Sequence, residues 1–356
     1  MFPRSRPPAA PESFKCKGKL PMRYRRIIAV VIILLLLLLP SAALAKAKKA
    51  RVKAKQGPPA PILKSAVVVN HNTGATLFAE NPDQMIPPAS LTKIMTLYLA
   101  FEDIQQGKVR PTDLVAVSGK AYATKGTTMF LEKGEKVPLV ELIKGIAVFS
   151  ANDASQAVAE HLGGGNAAEF VARMNLKARE LGMTRSRFIN PHGLPAKGQV
   201  TTARDMMKLS RAYMDRFPEC LTIHSMREYT YHNKTQRNRN RLLAHYPGAD
   251  GIKTGFVCAS GYNIIATAKR DNVRMLAVVL GARTPKLRAS ETERLLDVGF
   301  EKVNGSRKQA AVKEEIQPDR DGGSFSKAEP SAVPSSVPAS LQAGRIHVLI
   351  PSLGSR

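Results

Sequence analysis

The strand-like segments of this chain lie towards its two ends, and most of what separates them reads as helix. Ala66-Val67-Val68-Val69 and Ala75-Thr76-Leu77-Phe78 flank His71-Asn72-Thr73-Gly74, two short apolar runs around turn residues. Far downstream, Tyr262 to Ala268 and Met275 to Leu280 repeat the pattern around Lys269-Arg270-Asp271-Asn272. Between the two hairpins, Leu91, Ile94, Met95, Tyr98 and Phe101 fall on one helical face behind Pro87-Pro88-Ala89. Leu139 to Phe149, Asp153 to Leu162 and Ala167 to Leu181 read as further helices, and Thr202-Ala203-Arg204-Asp205 as a helix start with a capping hydroxyl. Ser290 to Val303 closes as a last helix. Strands at both ends bury their faces most simply by joining one sheet. The pattern therefore predicts an α+β fold: an antiparallel sheet holding both ends of the domain, flanked by helices, with a helical region inserted. Residues 62–303, about 240 of them, suffice for one large core.

The flanks differ in kind. Met22-Arg23-Tyr24-Arg25-Arg26 is basic, Ile27 to Leu39 is a run of 13 apolar residues, and Pro40, Ser41 and Ala43-Leu44-Ala45 follow. A basic stretch, a short apolar core and an A-x-A end make the grammar of a secretory signal peptide. Residues 1–45 are thus expected to be an extended leader cleaved near Ala45, with Met22 a candidate initiator. The rival is an uncleaved anchor. Thirteen helical residues span about 20 Å at ~1.5 Å each, short of a hydrocarbon core of roughly 30 Å. A mature protein that is periplasmic or secreted, with weak or no membrane association, is the expectation. Residues 46–61 form a Lys/Ala/Pro linker, and 304–356 a Pro/Ser-rich tail whose composition predicts disorder. The apolar run within 345–353 fits neither description.

The formal net charge of +26 is carried partly by the leader. The cluster Lys46, Lys48, Lys49, Arg51, Lys53 and Lys55 suits a polyanion or a solvated linker alike. Export, the absence of Trp and the lack of stacked-aromatic motifs argue against nucleic acid. Beyond the leader only Cys220 and Cys258 remain, too few for a disulfide framework and open as to pairing. Scattered histidines without H-E-x-x-H or C-x-x-C spacing predict no metal and no other cofactor.

Three short motifs carry the chemistry: Ser90-Leu91-Thr92-Lys93, Ser150-Ala151-Asn152 and Lys253-Thr254-Gly255, with 60 and 103 residues between their first positions. Ser90 and Lys93 share a helix face at i, i+3. A serine hydroxyl is a weak nucleophile until a base takes its proton, and a lysine can do so if burial or a neighbouring cation lowers its pKa from ~10.4. Lys253 is the candidate neighbour. Alone this motif means little, since Ser324-Phe325-Ser326-Lys327 matches it in the tail. Ser150-Ala151-Asn152 sits between two predicted helices, where a break can project Ser150 and Asn152 into a cleft and a second hydroxyl can relay a proton to a leaving amine; a plain N-cap is the bland alternative. Lys253 and Thr254 on an edge strand can hold a substrate carboxylate, and Gly255 lets a substrate backbone approach; taken singly, a turn explains them as well. The backbone N–H groups of Ser90 and Phe256 are candidate oxyanion donors. Order and spacing, rather than any one motif, make the signal specific.

With these residues the chain resembles the low-molecular-mass penicillin-binding proteins that are D-alanyl-D-alanine carboxypeptidases of serine peptidase type. The likeness extends to Pro87-Pro88-Ala89-Ser90-Leu91-Thr92-Lys93-Ile94-Met95-Thr96, Gly126-Thr127-Thr128-Met129-Phe130-Leu131, Phe188-Ile189-Asn190-Pro191-His192-Gly193-Leu194 and Asp250-Gly251-Ile252-Lys253-Thr254-Gly255, and covers roughly 62–303. It implies a β-lactamase/transpeptidase-like fold and removal of the terminal D-Ala from peptidoglycan stem peptides through an acyl-enzyme on Ser90. It also implies covalent acylation by β-lactams. An arginine binds the terminal carboxylate in this family: Arg288 falls at the matching place and Arg239 at a second basic position. Two departures stand out. Relatives often carry a β-rich second domain and an amphipathic C-terminal anchor, where this chain turns Pro/Ser-rich, and they often have histidine where Phe256 stands.

Three rivals remain on the sequence. A class A β-lactamase shares the motif order but places Glu-x-x-Leu-Asn where this chain has Ser186-Arg187-Phe188-Ile189-Asn190, so the water-activating glutamate is replaced by Ser186. A DD-endopeptidase acting on cross-links uses a similar bond and similar motifs. A non-catalytic peptidoglycan-binding protein is disfavoured by three intact motifs.

Overall fold

The computed structural model of the chain describes residues 62–315. The expectations for the leader, the linker and the tail beyond 315 fall outside them. Nine strands appear: β1 Ser65–Asn70, β2 Thr76–Glu80, β3 Leu114–Ala116, β4 Lys136–Pro138, β5 Glu228–Tyr231, β6 Lys234–Arg237, β7 Ala249–Val257, β8 Gly261–Arg270 and β9 Val273–Ala282. The α-helices are α1 Lys93–Gln105, α2 Gly119–Tyr122, α3 Leu139–Val148, α4 Asn152–Leu162, α5 Ala167–Glu180, α6 Ala203–Arg216, α7 Cys220–His224, α8 Leu242–His245 and α9 Pro285–Glu315. The main sheet has the order β2-β1-β9-β8-β7, with all neighbours antiparallel. The first and last strands of the domain therefore lie side by side, and β7 forms an edge.

The apolar runs that marked β1, β8 and β9 follow from burial on both faces. Val67, Val69, Ile265, Leu276 and Val278 face the inserted helical region. Ala66, Val68, Ile264, Ala266, Ala277 and Val279 face the other way, towards Leu295, Leu296 and Phe300 of α9. At about 1.5–3 kcal/mol for each large side chain buried, these strands anchor the domain. Helix α9 starts before the expected Ser290 and runs past the expected boundary at 303 to Glu315.

Helix α1 is buried from Lys93 to Asp103, so it is a central rather than a surface helix. Its two acids are matched by cations from neighbouring helices. Arg173 donates to both oxygens of Asp103 at 2.6 and 2.7 Å, and Lys177 lies 3.0 Å from Glu102, which also receives Arg216. Cys220 is a buried free thiol, so it does not pair with Cys258.

The β5–β6 hairpin is among the elements that sequence reasoning missed, with the β3–β4 pair and the short helices α2, α7 and α8. The hairpin's inward alternation is carried by Tyr229 and Tyr231 alone, among charged and polar neighbours, too short a signal to reveal it. Its turn residues His232 and Asn233 have φ of 46° and 57°, the left-handed pair that a two-residue type I′ turn requires. Its tyrosines tie it down: Tyr229 donates to Glu141 and Tyr231 to Glu135.

Candidate active site

Ser90 does not lie in the α-helix. It sits in a 3-10 turn, Ala89–Thr92, which passes into α1 at Lys93. In a 3-10 turn residues at i and i+3 eclipse one another, which brings the two side chains closer than α-helical spacing alone. Lys93 Nζ lies 3.2 Å from Ser90 Oγ and donates to Asn152 Oδ1 at 2.7 Å and to the His192 carbonyl at 2.5 Å. Lys93 is 0% exposed, among the largest fully buried side chains of the protein. Burial, then the positive charge of Lys253, drive its pKa well below the usual lysine value, with Asp153 acting in the opposite direction. A buried neutral amine that donates its two N–H groups to Asn152 Oδ1 and His192 O keeps its lone pair for the Ser90 hydroxyl, and is suited to take that proton.

Ser150 lies in the break between α3 and α4, and Asn152 opens α4. Ser150 has φ of 70°, a left-handed backbone that marks a constrained position in a non-glycine residue. Its hydroxyl is buried and has no hydrogen-bond partner among the described residues. Asn152 is fixed on three sides: its N–H donates to Thr127 O at 2.7 Å, its Nδ2 to Lys125 O at 2.7 Å, and its Oδ1 accepts from Lys93. The segment 125–131 is therefore part of the site wall. Asp153 holds that segment from beneath, accepting N–H groups from Met129 and Leu131 as well as from Ala154.

The third motif lies on β7, as an edge strand. Gly255 is where this strand meets the Ser90 turn. A Cβ there would stand 3.1 Å from Ser90 N, 3.2 Å from Ala89 Cβ and 3.3 Å from Leu91 N. Lys253 and Thr254 are buried, and Lys253 Nζ donates to the Thr254 carbonyl at 3.0 Å. Burial, then Arg239 and Arg288, lower the Lys253 pKa to about 7. Phe256 is exposed and its ring stacks on Tyr262 with centroids 4.3 Å apart. Arg288 is buried with an unpartnered Nε and a pKa pulled down to about 10, first by burial and then by Arg241. Arg239 is exposed, and its carbonyl lies 3.5 Å from Arg288 Nη2. The structure thus brings the three motifs and both arginines into one cluster.

The loop at 190–194 contributes what no side-chain pattern announces, a backbone carbonyl. His192 O holds Lys93, and Thr96 Oγ1 donates to Pro191 O at 2.6 Å. Gly193, at φ +85°, presses against the Ser90 turn so closely that a Cβ would come within 1.9 Å of Ala89 O. The imidazole of His192 is itself kept neutral, its pKa lowered to about 3 by burial and by Lys93. Among the described residues, no group of three or more His, Cys, Asp or Glu could hold a metal, and no helix is long and apolar enough to cross a membrane.

Residues 52–284 match the Peptidase S11 family, described as D-alanyl-D-alanine carboxypeptidase. The chain belongs to this family. Among curated relatives, the D-alanyl-D-alanine carboxypeptidase DacF of Bacillus subtilis (strain 168) is 39% identical over 241 residues, covering 67% of this chain and 62% of DacF. The chain spans about three fifths of the length of the curated relatives it matches first. Crystal structures of penicillin binding protein 5 from Haemophilus influenzae align with a TM-score of 0.66 at 38% identity, over 69% of this chain and 72% of that one. Penicillin-binding protein D2 from Listeria monocytogenes, in an ampicillin-bound form, aligns at 0.59 with 30% identity, over 69% of this chain and all of that one. The fold is that of the penicillin-binding DD-peptidases, with the antiparallel sheet and flanking helices anticipated from sequence.

Proposed function

We propose that the chain is a serine-type D-Ala-D-Ala carboxypeptidase that removes the terminal D-Ala from peptidoglycan stem peptides and is acylated by β-lactams. The observation that carries this reading is the buried Lys93 amine, 3.2 Å from Ser90 Oγ and locked by Asn152 and His192 O. Lys93 takes the hydroxyl proton as Ser90 Oγ attacks the penultimate D-Ala carbonyl carbon. The oxyanion is met by the Ser90 and Phe256 N–H groups. Collapse breaks the C–N bond; the lysine proton passes through Ser150, whose hydroxyl has no hydrogen-bond partner among the described residues, to the leaving amine. Water, deprotonated by the same lysine, then hydrolyses the Ser90 ester and regenerates the free serine. Lys253, Thr254 and Arg288, with the exposed Arg239 beside them, hold the carboxylate of the departing residue, and Asn152 positions the acyl amide.

The leader grammar from Met22 to Ala45 supports a site of action outside the cytoplasm, in the periplasm or secreted. The reading is tested by labelling with a fluorescent penicillin and by mass analysis of products from purified muropeptides. Ser90→Ala is expected to abolish labelling and D-Ala release together. Labelling of Ser90→Ala at the wild-type level overturns the assignment of the nucleophile, and products cut at cross-links rather than at terminal D-Ala favour the endopeptidase alternative.

A further inference from the structure

One residue of the wall segment has no part in the chemistry above. Phe130 has φ of +63°, a backbone region that bulky residues rarely enter, and it is 48% exposed. An exposed aromatic in a strained backbone persists only where its surroundings impose it, and such outliers cluster at functional sites. The imposing group is Asp153. One of its oxygens accepts from Met129 N at 3.0 Å and from Leu131 N at 3.2 Å. Drawing both flanking N–H groups down onto one buried carboxylate turns the residue between them outward.

Above the ring stands Lys234 of β6, its Nζ 4.4 Å from the ring centroid. The same strand is fastened to the wall by Gln236 Nε2, which donates to Thr128 O at 3.0 Å. Thr127, whose carbonyl holds Asn152, is three residues from Phe130, and three residues of chain reach at most ~10 Å. The ring and the ammonium therefore sit on the rim of the cleft, on the Asn152 wall. Lys253 and the arginines take the carboxylate of the leaving residue, so the other half of the substrate must run out along a different wall. An aromatic face beside an ammonium recognises an alkyl stem that ends in a carboxylate.

We propose that Phe130 and Lys234 form a subsite for the residue preceding the D-Ala-D-Ala pair, selective for a side chain with a methylene stem ending in a carboxylate, and that Asp153 is the positioning residue that presents Phe130. This rests on the carboxypeptidase reading. The test compares acetylated tripeptides ending in D-Ala-D-Ala whose first residue is either diaminopimelate, which has the carboxylate, or lysine, which lacks it. Wild type is expected to prefer the diaminopimelate peptide in kcat/KM by about tenfold, the size of one charge-assisted contact. Lys234→Ala is expected to bring that ratio close to one by lowering the diaminopimelate value.

Phe130→Gly, which suits the left-handed backbone, is expected to raise KM for both peptides about fivefold with kcat largely kept, an effect of lost ground-state contact. Its thermal midpoint and the stoichiometry of penicillin labelling report the intact fold. Asp153→Asn should reproduce the rise in KM, and combining it with Phe130→Gly should add nothing to that rise. A preference that survives Lys234→Ala, or a KM untouched by Phe130→Gly, overturns the subsite alone. A wild-type enzyme that is labelled by penicillin but releases D-Ala from neither peptide overturns the carboxypeptidase reading and the subsite with it.

Discussion

Replacing Lys93 by arginine keeps the positive charge and removes the base, so it separates the two roles a lysine could play beside Ser90. The pocket makes the consequence calculable. Lys93 is fully buried and is held by Ser90 Oγ, Asn152 Oδ1 and His192 O, and its pKa is driven well down by burial and by Lys253. Arginine, with a pKa of at least ~12.5, is neutral in fewer than about one molecule in 10⁵ at pH 7. Loss of a positioned general base costs about 10²–10⁴ in rate, or ~2.7–5.4 kcal/mol at ~1.36 kcal/mol per decade. A guanidinium also brings five N–H donors to a site that offers three acceptors, and each buried unpaired donor costs ~1–3 kcal/mol. Lys93→Arg should therefore acylate at least about a hundredfold more slowly and melt at a lower temperature. The assay is the second-order rate of fluorescent penicillin acylation at pH 7, beside a thermal melt. Acylation within a few-fold of wild type would mean that Lys93 acts as a fixed cation and that Ser90 is activated by another group.

The lowered lysine pKa values set the pH profile. Lys93 must be neutral to act, and its depressed pKa allows this below the ordinary lysine range. Lys253 must be charged, and with a pKa of about 7 it loses its proton as pH rises through that value. kcat/KM should thus fall on the alkaline side near pH 7 and on the acid side as Lys93 protonates, and an alkaline limb near pH 10 would contradict the burial argument. Gly255→Ala puts a methyl 3.1 Å from Ser90 N and should cost about 10²–10³ in acylation rate, the worth of one oxyanion donor, with little change in melting; wild-type acylation would place the oxyanion elsewhere. Phe217→Ala empties a buried position among Tyr98, Phe101 and Tyr213, with ring centroids 5.2 to 6.0 Å away, and should cost ~3–5 kcal/mol, roughly 6–20 °C in Tm, measured by calorimetry. Bound penicillin should be released far more slowly than D-Ala is released from a pentapeptide in stopped-flow traces; equal rates would favour the β-lactamase alternative.

What the sequence made legible was whatever is written in apolar periodicity or in side-chain identity. β1, β8 and β9 announced themselves because both faces are buried, and α1 because its apolar residues keep a helical period. The motif residues were visible because their chemistry lies in their side chains. The hairpin β5–β6 stayed hidden because only Tyr229 and Tyr231 of Glu228 to Arg237 face the core, and its turn and its tyrosine bonds to distant glutamates are set by the tertiary fold. The grip on Lys93 by His192 O stayed hidden because any residue supplies a carbonyl. The placement of Ser90 in a 3-10 turn stayed hidden because its sequence is equally good as the first turn of an α-helix. Asp153 was read only as the start of a helix. Its oxygens instead spend their capacity on the backbone of a segment some twenty residues upstream, a contact that only the tertiary fold creates.

The distribution of carboxylates explains why the site should favour peptides over β-lactams as substrates for full turnover. Ser186, in place of the glutamate of class A β-lactamases, is bonded to Thr201 Oγ1 and Asp205 Oδ2, both at 2.8 Å. Asp205 is itself buried and accepts Arg185 N, so it ties the segment of Arg185 and Ser186 to α6. Asp153, the acid nearest Lys93 in its electrostatic effect, is saturated by N–H groups from Met129, Leu131 and Ala154. Lys93 is then the base left to activate water, and it must reach the ester from the same side as in acylation. After D-Ala has departed, the space it occupied gives water that approach. In a β-lactam adduct the cleaved amide nitrogen stays attached to the acyl group, so the same space remains filled and the lysine has no water to deprotonate. On this argument, the choice between peptidase and β-lactamase lies in where the carboxylates are already committed: Asp153 to the 125–131 wall and Asp205 to the segment of Arg185 and Ser186.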